Sequence, residues 1–214
     1  MIKRLIFTAI TLLVSLSSMA KSMVEIWSSI PDSVIPYIDR THRLEMTDFI
    51  KMGLKGDVNH KKKKKSEMDT ITADYIHLTL NESVTMELKR LPCEGEDSLL
   101  CVVTTWKGPA EESNVKFFTQ EWQSIIVPKA FEGGDYYELA SRLTQRPDIM
   151  SKARYDELCA MIDPIMLSAK LSIADNVLHV KLSLPLLKAD DQRKLSSVMN
   201  PIDLHWDGRG FNTK

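Results

Sequence analysis

The stretch "DYIHLTLNESVTMELKRL", residues 74–91, decides how this chain is read. Apolar and polar residues alternate on either side of a short polar interruption. Ile76, Leu78 and Leu80 point one way, and Tyr75, His77 and Thr79 the other. Val84, Met86 and Leu88 repeat the pattern. That period of two is the mark of a half-buried strand. Cross-strand partners must share a face. A three-residue loop, Asn81-Glu82-Ser83, therefore pairs Leu80 with Val84, Leu78 with Met86 and Ile76 with Leu88. The next turn centres on Gly95 and pairs Leu88 with Val102 and Met86 with Thr104. "LLCVVTTW", residues 99–106, is apolar on both faces, as a central strand should be. "KGPAEESN" reads as a loop, "VKFFTQEW" as a further strand and "SIIVP" as a short one.

Helical spacing flanks this core. Residues 24–40 read as short pieces broken near Pro31, with Asp32 capping the second and Val24, Trp27 and Ile30 on one face. In "RLEMTDFIKMGLKG", Met46, Phe49, Ile50 and Leu54 recur at helical spacing, and Gly56 is the expected stop. "FEGGDYYELASRLTQRPD" is a Gly-marked break and a weak helix. "KARYDELCAMID" is a stronger one, striped by Tyr155, Leu158, Cys159 and Ile162 and ended by Pro164. A second hairpin turns at Asp175-Asn176, pairing Ile173 with Leu178, Leu171 with Val180 and Ala169 with Leu182. Asp190 is placed to cap a helix carrying Leu195, Val198 and Met199. A last strand alternates Ile202, Leu204 and Trp206. The expectation is an α+β fold: mostly antiparallel sheet with helices packed on one face. The later elements echo the earlier ones without a residue-level repeat, so two degenerate αβ halves are one form of it.

The N-terminus carries an address. Lys3 and Arg4 precede the apolar run Leu5 to Leu16, and Ser18 and Ala20 sit at small-residue positions. That is the pattern of a secretory signal peptide cut after Ala20. The run falls short of the roughly 20 residues that span a bilayer. The expectation is a signal peptide over 1–20 and one domain over 21–214, located in the periplasm or secreted. No transmembrane segment remains after cleavage. Cleavage takes the 28 basic residues to 26 against 29 acidic ones, a net charge of −3. Nucleic-acid binders usually carry a basic surplus, so no nucleic-acid partner is expected.

Several blocks carry a resemblance. "SIPDSVIPYIDRTHRLEMTDFI", "ITADYIHLTLNESVTMELKRLP", "LLCVVTTWKGPAEES" and the closing "LHWDGRGF" follow, in order, the pattern of small exported proteins typical of Bacteroidales. The chain resembles the family catalogued as domain of unknown function 3256. The resemblance implies export from a Gram-negative cell and a single α+β unit. It brings no catalytic or binding residue.

Chemistry is sparse. No HExxH, CxxC, GxSxG elbow or phosphate-cradling Gly-rich loop is present. Of three cysteines, Cys101 and Cys159 read as buried. Cys93 lies roughly 14 Å along the ladder from Cys101 at about 3.4 Å per residue, too far for a disulfide. His77, His179 and His205 each sit on the polar side of a strand, and neighbouring strands would gather them with carboxylates into a metal or acid–base site. The alternative is three solvated histidines. Lys61, Lys62, Lys63, Lys64 and Lys65 fall between a helix end and the first strand and read as a solvated connector. Near an anionic surface each lysine adds about 1 kcal/mol. Phe117 and Phe118 face opposite ways, so one is a candidate for exposure. Together with Trp106, Trp122, Tyr136 and Tyr137, it could grip a glycan or a protein. The expected function is an exported, non-catalytic binding or interaction module without a cofactor, whose partner is another envelope protein or an anionic envelope polymer. The alternatives are an envelope hydrolase with a site assembled from dispersed residues and a purely structural component.

Overall fold

The computed structural model describes residues 21–36, 38–60, 64–95, 98–127, 134–184 and 187–213. The expected signal peptide, residues 1–20, and Lys61–Lys63 lie outside them. Two short helices open the chain: α1 (Met23–Ser28), capped by the Ser22 hydroxyl, and α2 (Arg40–Lys51). Asp39 caps α2, accepting the His42 amide at 3.0 Å, and the second short helical piece expected to start at Asp32 is a turn instead. Asp32 instead accepts from the buried Arg43 guanidinium at 3.0 Å. Gly53 ends α2 with φ +73°, while Leu54 donates to the Phe49 carbonyl, a left-handed close that favours glycine. Leu54 falls beyond this stop and is exposed. Gly56 serves packing: a Cβ there would lie 2.9 Å from Ile50 Cγ1 and 3.0 Å from the Met46 carbonyl.

A seven-stranded antiparallel sheet follows in chain order. It contains β1 (Gly56–His60), β2 (Lys64–Ile71), β3 (Tyr75–Asn81), β4 (Val84–Pro92), β5 (Ser98–Lys107), β6 (Glu111–Phe118) and β7 (Ser124–Ile125). The β1–β2 hairpin is absent from the sequence reading. Its inward side chains are few, chiefly Val58, Ser66 and Met68, so its alternation is weak. Of the lysine run, Lys64 and Lys65 are thus part of strand β2 rather than of a helix-to-strand connector. In β3–β4, Ile76 pairs with Leu88 and Leu78 with Met86 as expected. Near the turn, Asn81 pairs with Val84 around a two-residue Glu82-Ser83 turn, and an irregularity between Thr79 and Asn81 absorbs Leu80. The β4–β5 register is as expected, with Lys89 opposite Cys101. Strand β6 starts earlier than read, at Glu111, and Thr119 to Trp122 form a turn.

After α3 (Gly134–Arg142) and α4 (Lys152–Cys159), a second sheet has the order β11-β10-β9-β8. Its strands are β8 (Met166–Leu171), β9 (Val177–Ser183), β10 (Ile202–Trp206) and β11 (Phe211–Asn212), with α5 (Ala189–Ser196) between β9 and β10. Asp190 lies in the first turn of α5; Lys188 is its cap residue and makes no side-chain capping bond. The second hairpin is two residues out of the expected register. Leu171 pairs with Leu178, Ala169 with Val180 and Leu167 with Leu182, and Ile173 is exposed in a longer loop. A two-residue slip preserves which face each side chain takes, so the apolar pattern cannot detect it.

Both faces of the large sheet pack against other elements. On one, Ile76, Leu78, Met86, Leu88 and Val102 pack with Trp27, Ile30, Ile38 and Met46. On the other, Cys101, Val103, Val115 and Phe117 meet the apolar face of the second sheet, to which α3, α4 and α5 add Leu139, Leu158 and Leu195, and the turn after α3 adds Leu143. Phe117 and Phe118 are therefore both buried, one in each cluster. Each sheet carries its helices on one face, the expected α+β arrangement.

The sheets meet in an unusual way. Strand β8 is an edge strand, and the backbone groups on its outer side find no strand partner. Side chains from the large sheet supply the partners. Ser113 Oγ accepts the Ala169 amide at 2.9 Å, Glu87 Oε2 accepts the Leu171 amide at 3.1 Å, and Lys89 Nζ donates to the Ile173 carbonyl at 3.0 Å. Glu87 also accepts from the Tyr75 hydroxyl at 2.6 Å, and Lys89, 1% exposed, pairs with Asp74 at 3.1 Å.

Replacing Glu87 with Ala leaves the Leu171 amide and the Tyr75 hydroxyl buried without an acceptor. The expected loss is about 2 kcal/mol or more by chemical denaturation, against about 0.5 kcal/mol or less for an exposed control such as Glu138→Ala. Burial is the main force raising the Glu87 carboxyl pKa, while Tyr75, the Leu171 amide, His77 and Lys170 pull it down. A raised folded-state pKa stabilises below the unfolded pKa, and that stabilisation disappears as pH rises through the folded value. Glu87→Gln should therefore gain stability relative to the native chain as pH rises above the ordinary carboxylate range. A difference between the two proteins that stays flat over that rise would refute a buried, proton-linked Glu87.

Candidate functional site

Docking β8 across the large sheet leaves a polar cleft of about 600 Å³ at the margin of the contact. From the large sheet, His77 and Glu87 line it, with Thr85, Thr105, Lys107 and Glu111. From the small sheet come Ser168, Lys170, His179, Lys181 and Asp203. Two of the three strand histidines therefore share one space. Each is held by a carboxylate on a neighbouring strand: His77 Nδ1 lies 2.6 Å from Asp69 Oδ2, and His179 Nδ1 lies 2.7 Å from Asp203 Oδ1. Those contacts leave Nε2 as the nitrogen of each ring available to a ligand.

His205 does not join them. Its register partners are Val177 and Asn212, and Asp203 is the residue opposite His179. The alternation that put all three on polar faces could not show this one-step offset along the ladder. No group of three or more His, Cys, Asp or Glu residues is arranged to hold a metal ion among the described residues.

The cleft carboxylates are engaged. Glu111 accepts the Ser168 hydroxyl at 2.9 Å and lies 3.4 Å from Lys181 Nζ, and these contacts lower its pKa. Glu87 is committed to Tyr75 and Leu171. Of the lysine run, Lys64 and Lys65 lie outside the cleft. Lys64 pairs with His60 in the β1–β2 ladder, and Lys65 Nζ sits 2.8 Å from Asp57 and 3.6 Å from Glu67. No disulfide joins Cys93, Cys101 or Cys159 among the described residues. Burial pushes the Cys101 thiol pKa up, against a nucleophilic role. Cys159 is only half buried, not buried as its helical stripe led one to expect.

A second concavity, about 740 Å³, opens on the helix-bearing face of the large sheet beyond the reach of α1 and α2. Its floor includes Met86, Val102, Thr104, Trp106, Asn114 and Lys116. One wall is Ser33, Val34 and Pro36, and the other is Ser124 to Val127. Trp106 is 46% exposed and Ile126 is 88% exposed. Trp122, by contrast, is buried and donates its indole N–H to the Ile26 carbonyl at 3.1 Å. The sequence singled out Trp106 as a strand-end aromatic. Asn81, Asn114 and Lys116 carried no signal, because they reach the groove only through the β3–β4 and β5–β6 registers.

A solved domain of an uncharacterized protein from Porphyromonas gingivalis W83 has the same fold, with a TM-score of 0.68 and 16% identity. The match covers 91% of this chain and 98% of that one. None of the curated proteins matches the chain. A family profile described as "Protein of unknown function (DUF3256)" matches residues 15–211. With nearly its whole length matched, the chain belongs to the DUF3256 family.

Proposed function

We propose that the chain is an exported, non-catalytic binding module, and that its ligand is an anionic envelope polymer held in the groove beside Trp106. Export rests on the N-terminal pattern of a charged start, an apolar run and small residues before Lys21. The observation that carries the binding reading is the groove's composition. A half-exposed indole, opposite Val84 and Glu112 in the sheet, lines the groove with Asn81, Thr104 and Asn114, and Lys116 is the only ionisable residue among the described lining. An exposed indole offers an apolar face on which sugar C–H groups stack, and its polar neighbours fix orientation. A single cation in an otherwise uncharged groove favours a negative ligand. The rival occupant, an envelope protein, fits the apolar wall at Ile125 to Val127 but leaves Lys116 without a stated role.

The hydrolase reading draws on one observation, the meeting of His77 and His179 with carboxylates in one cleft. It is the weaker reading because Glu87 and Glu111 already hold internal partners. The two readings separate in one experiment. Isolated envelope polymer should bind the native chain, and Trp106→Ala should weaken binding about 10-fold while leaving the melting temperature nearly unchanged. Soluble fragments should not accumulate. Fragment release that disappears in both His77→Ala and His179→Ala would overturn the non-catalytic reading. Binding that Trp106→Ala leaves unaltered would overturn the groove as its location.

A further inference from the structure

We infer that the polar cleft between the two sheets is a second binding site, and that it takes a phosphate group. This inference does not rest on the groove. It rests on which cleft groups are left over once internal partners are assigned. Asp69 and Asp203 each hold a histidine. Glu87 accepts from Tyr75 and Leu171. Glu111 accepts from Ser168 and faces Lys181. Every carboxylate at the cleft is thus occupied within the protein.

The groups that remain are donors or can become donors. Lys107 and Lys170 line the cleft and make no side-chain ion pair among the described residues. Lys170 stands directly opposite His179 in the β8–β9 ladder. The two imidazoles are oriented by their Nδ1 contacts, so each presents Nε2. A cavity whose carboxylates hold internal partners, and whose lysines and, once protonated, imidazoles can donate, complements a ligand that is all acceptor. A phosphate monoester, with three terminal oxygens and a charge between −1 and −2, is the plainest such group. About 600 Å³ leaves room for the rest of the molecule. These four groups come from both sheets: His77 and Lys107 from the large one, Lys170 and His179 from the small one. A bound phosphate would therefore bridge the two sheets.

The phosphate could be free in solution or carried by a lipid headgroup, and two probes distinguish these sources. Inorganic phosphate, titrated into the whole chain to about 10 mM, should shift the ring signals of His77 and His179 saturably in NMR spectra. Those of His42 and His205 should stay in place. Vesicles of phosphatidylcholine, with and without phosphatidic acid, test the lipid source by sedimentation. Lys170→Met, at an exposed position with no ion pair among the described residues, should fold normally and weaken whichever response is seen by about 10-fold. A phosphate response without vesicle binding assigns a soluble ligand. Sedimentation that depends on phosphatidic acid and on Lys170 assigns a lipid-borne one. No response to either probe would overturn the inference, as would equal shifts at all four histidines or a Lys170→Met response equal to the native one.

Discussion

The structure depends on how the outer edge of β8 is satisfied. An edge strand presents a row of amides and carbonyls that must find partners once water is excluded. In most sheets another strand provides them. Here three side chains standing on the face of the large sheet do so: Ser113, Glu87 and Lys89 reach Ala169, Leu171 and Ile173. The contact joins the edge of one sheet to the face of another. It fixes the position of β8 along β4 and β6, since each side chain matches one backbone group. Sliding β8 by one residue would present carbonyls where amides are needed.

This solution places charge in the interior. Glu87 and Lys89 are both nearly inaccessible to water. Taking such groups out of water is unfavourable unless their hydrogen bonds are complete. Glu87 has two donors, and Lys89 has Asp74, the Ile173 carbonyl and the Tyr75 ring, 5.9 Å from its ammonium. An apolar contact would hold the sheets together equally well, but it would tolerate sliding. The polar contact specifies one register, and the apolar cluster around Phe117, Trp206 and Phe211 supplies the bulk of the burial.

The same docking produces the polar cleft. Where β8 and β9 overhang the large sheet, the outward residues of both sheets face one another, and His77 meets His179 across the gap. The groove beside Trp106 has a different origin. Helices α1 and α2 are short and cover only part of the opposite face, so the end of the sheet near the β3–β4 turn stays open. One concavity is polar because two solvent-facing surfaces are brought together. The other is mostly apolar because a core-type surface is left uncovered.

The sequence by itself determined the α+β class, the antiparallel pairing of β3 with β4 and β4 with β5, the central position of β5, the absence of a Cys93–Cys101 disulfide and the polar facing of the strand histidines. Each follows from alternation, a local property of one or two strands. It also set a limit: the polar β1–β2 hairpin was invisible, and the β8–β9 register could shift by two residues without violating the pattern. Only the tertiary structure decided that His77 and His179 share a cleft while His205 stays outside it, that Phe117 and Phe118 are both buried, and that Glu87 and Lys89 serve an edge strand more than 80 residues away. Alternation tells a side chain which face it takes. It says nothing of what covers that face, because covering depends on contacts between segments far apart in the chain.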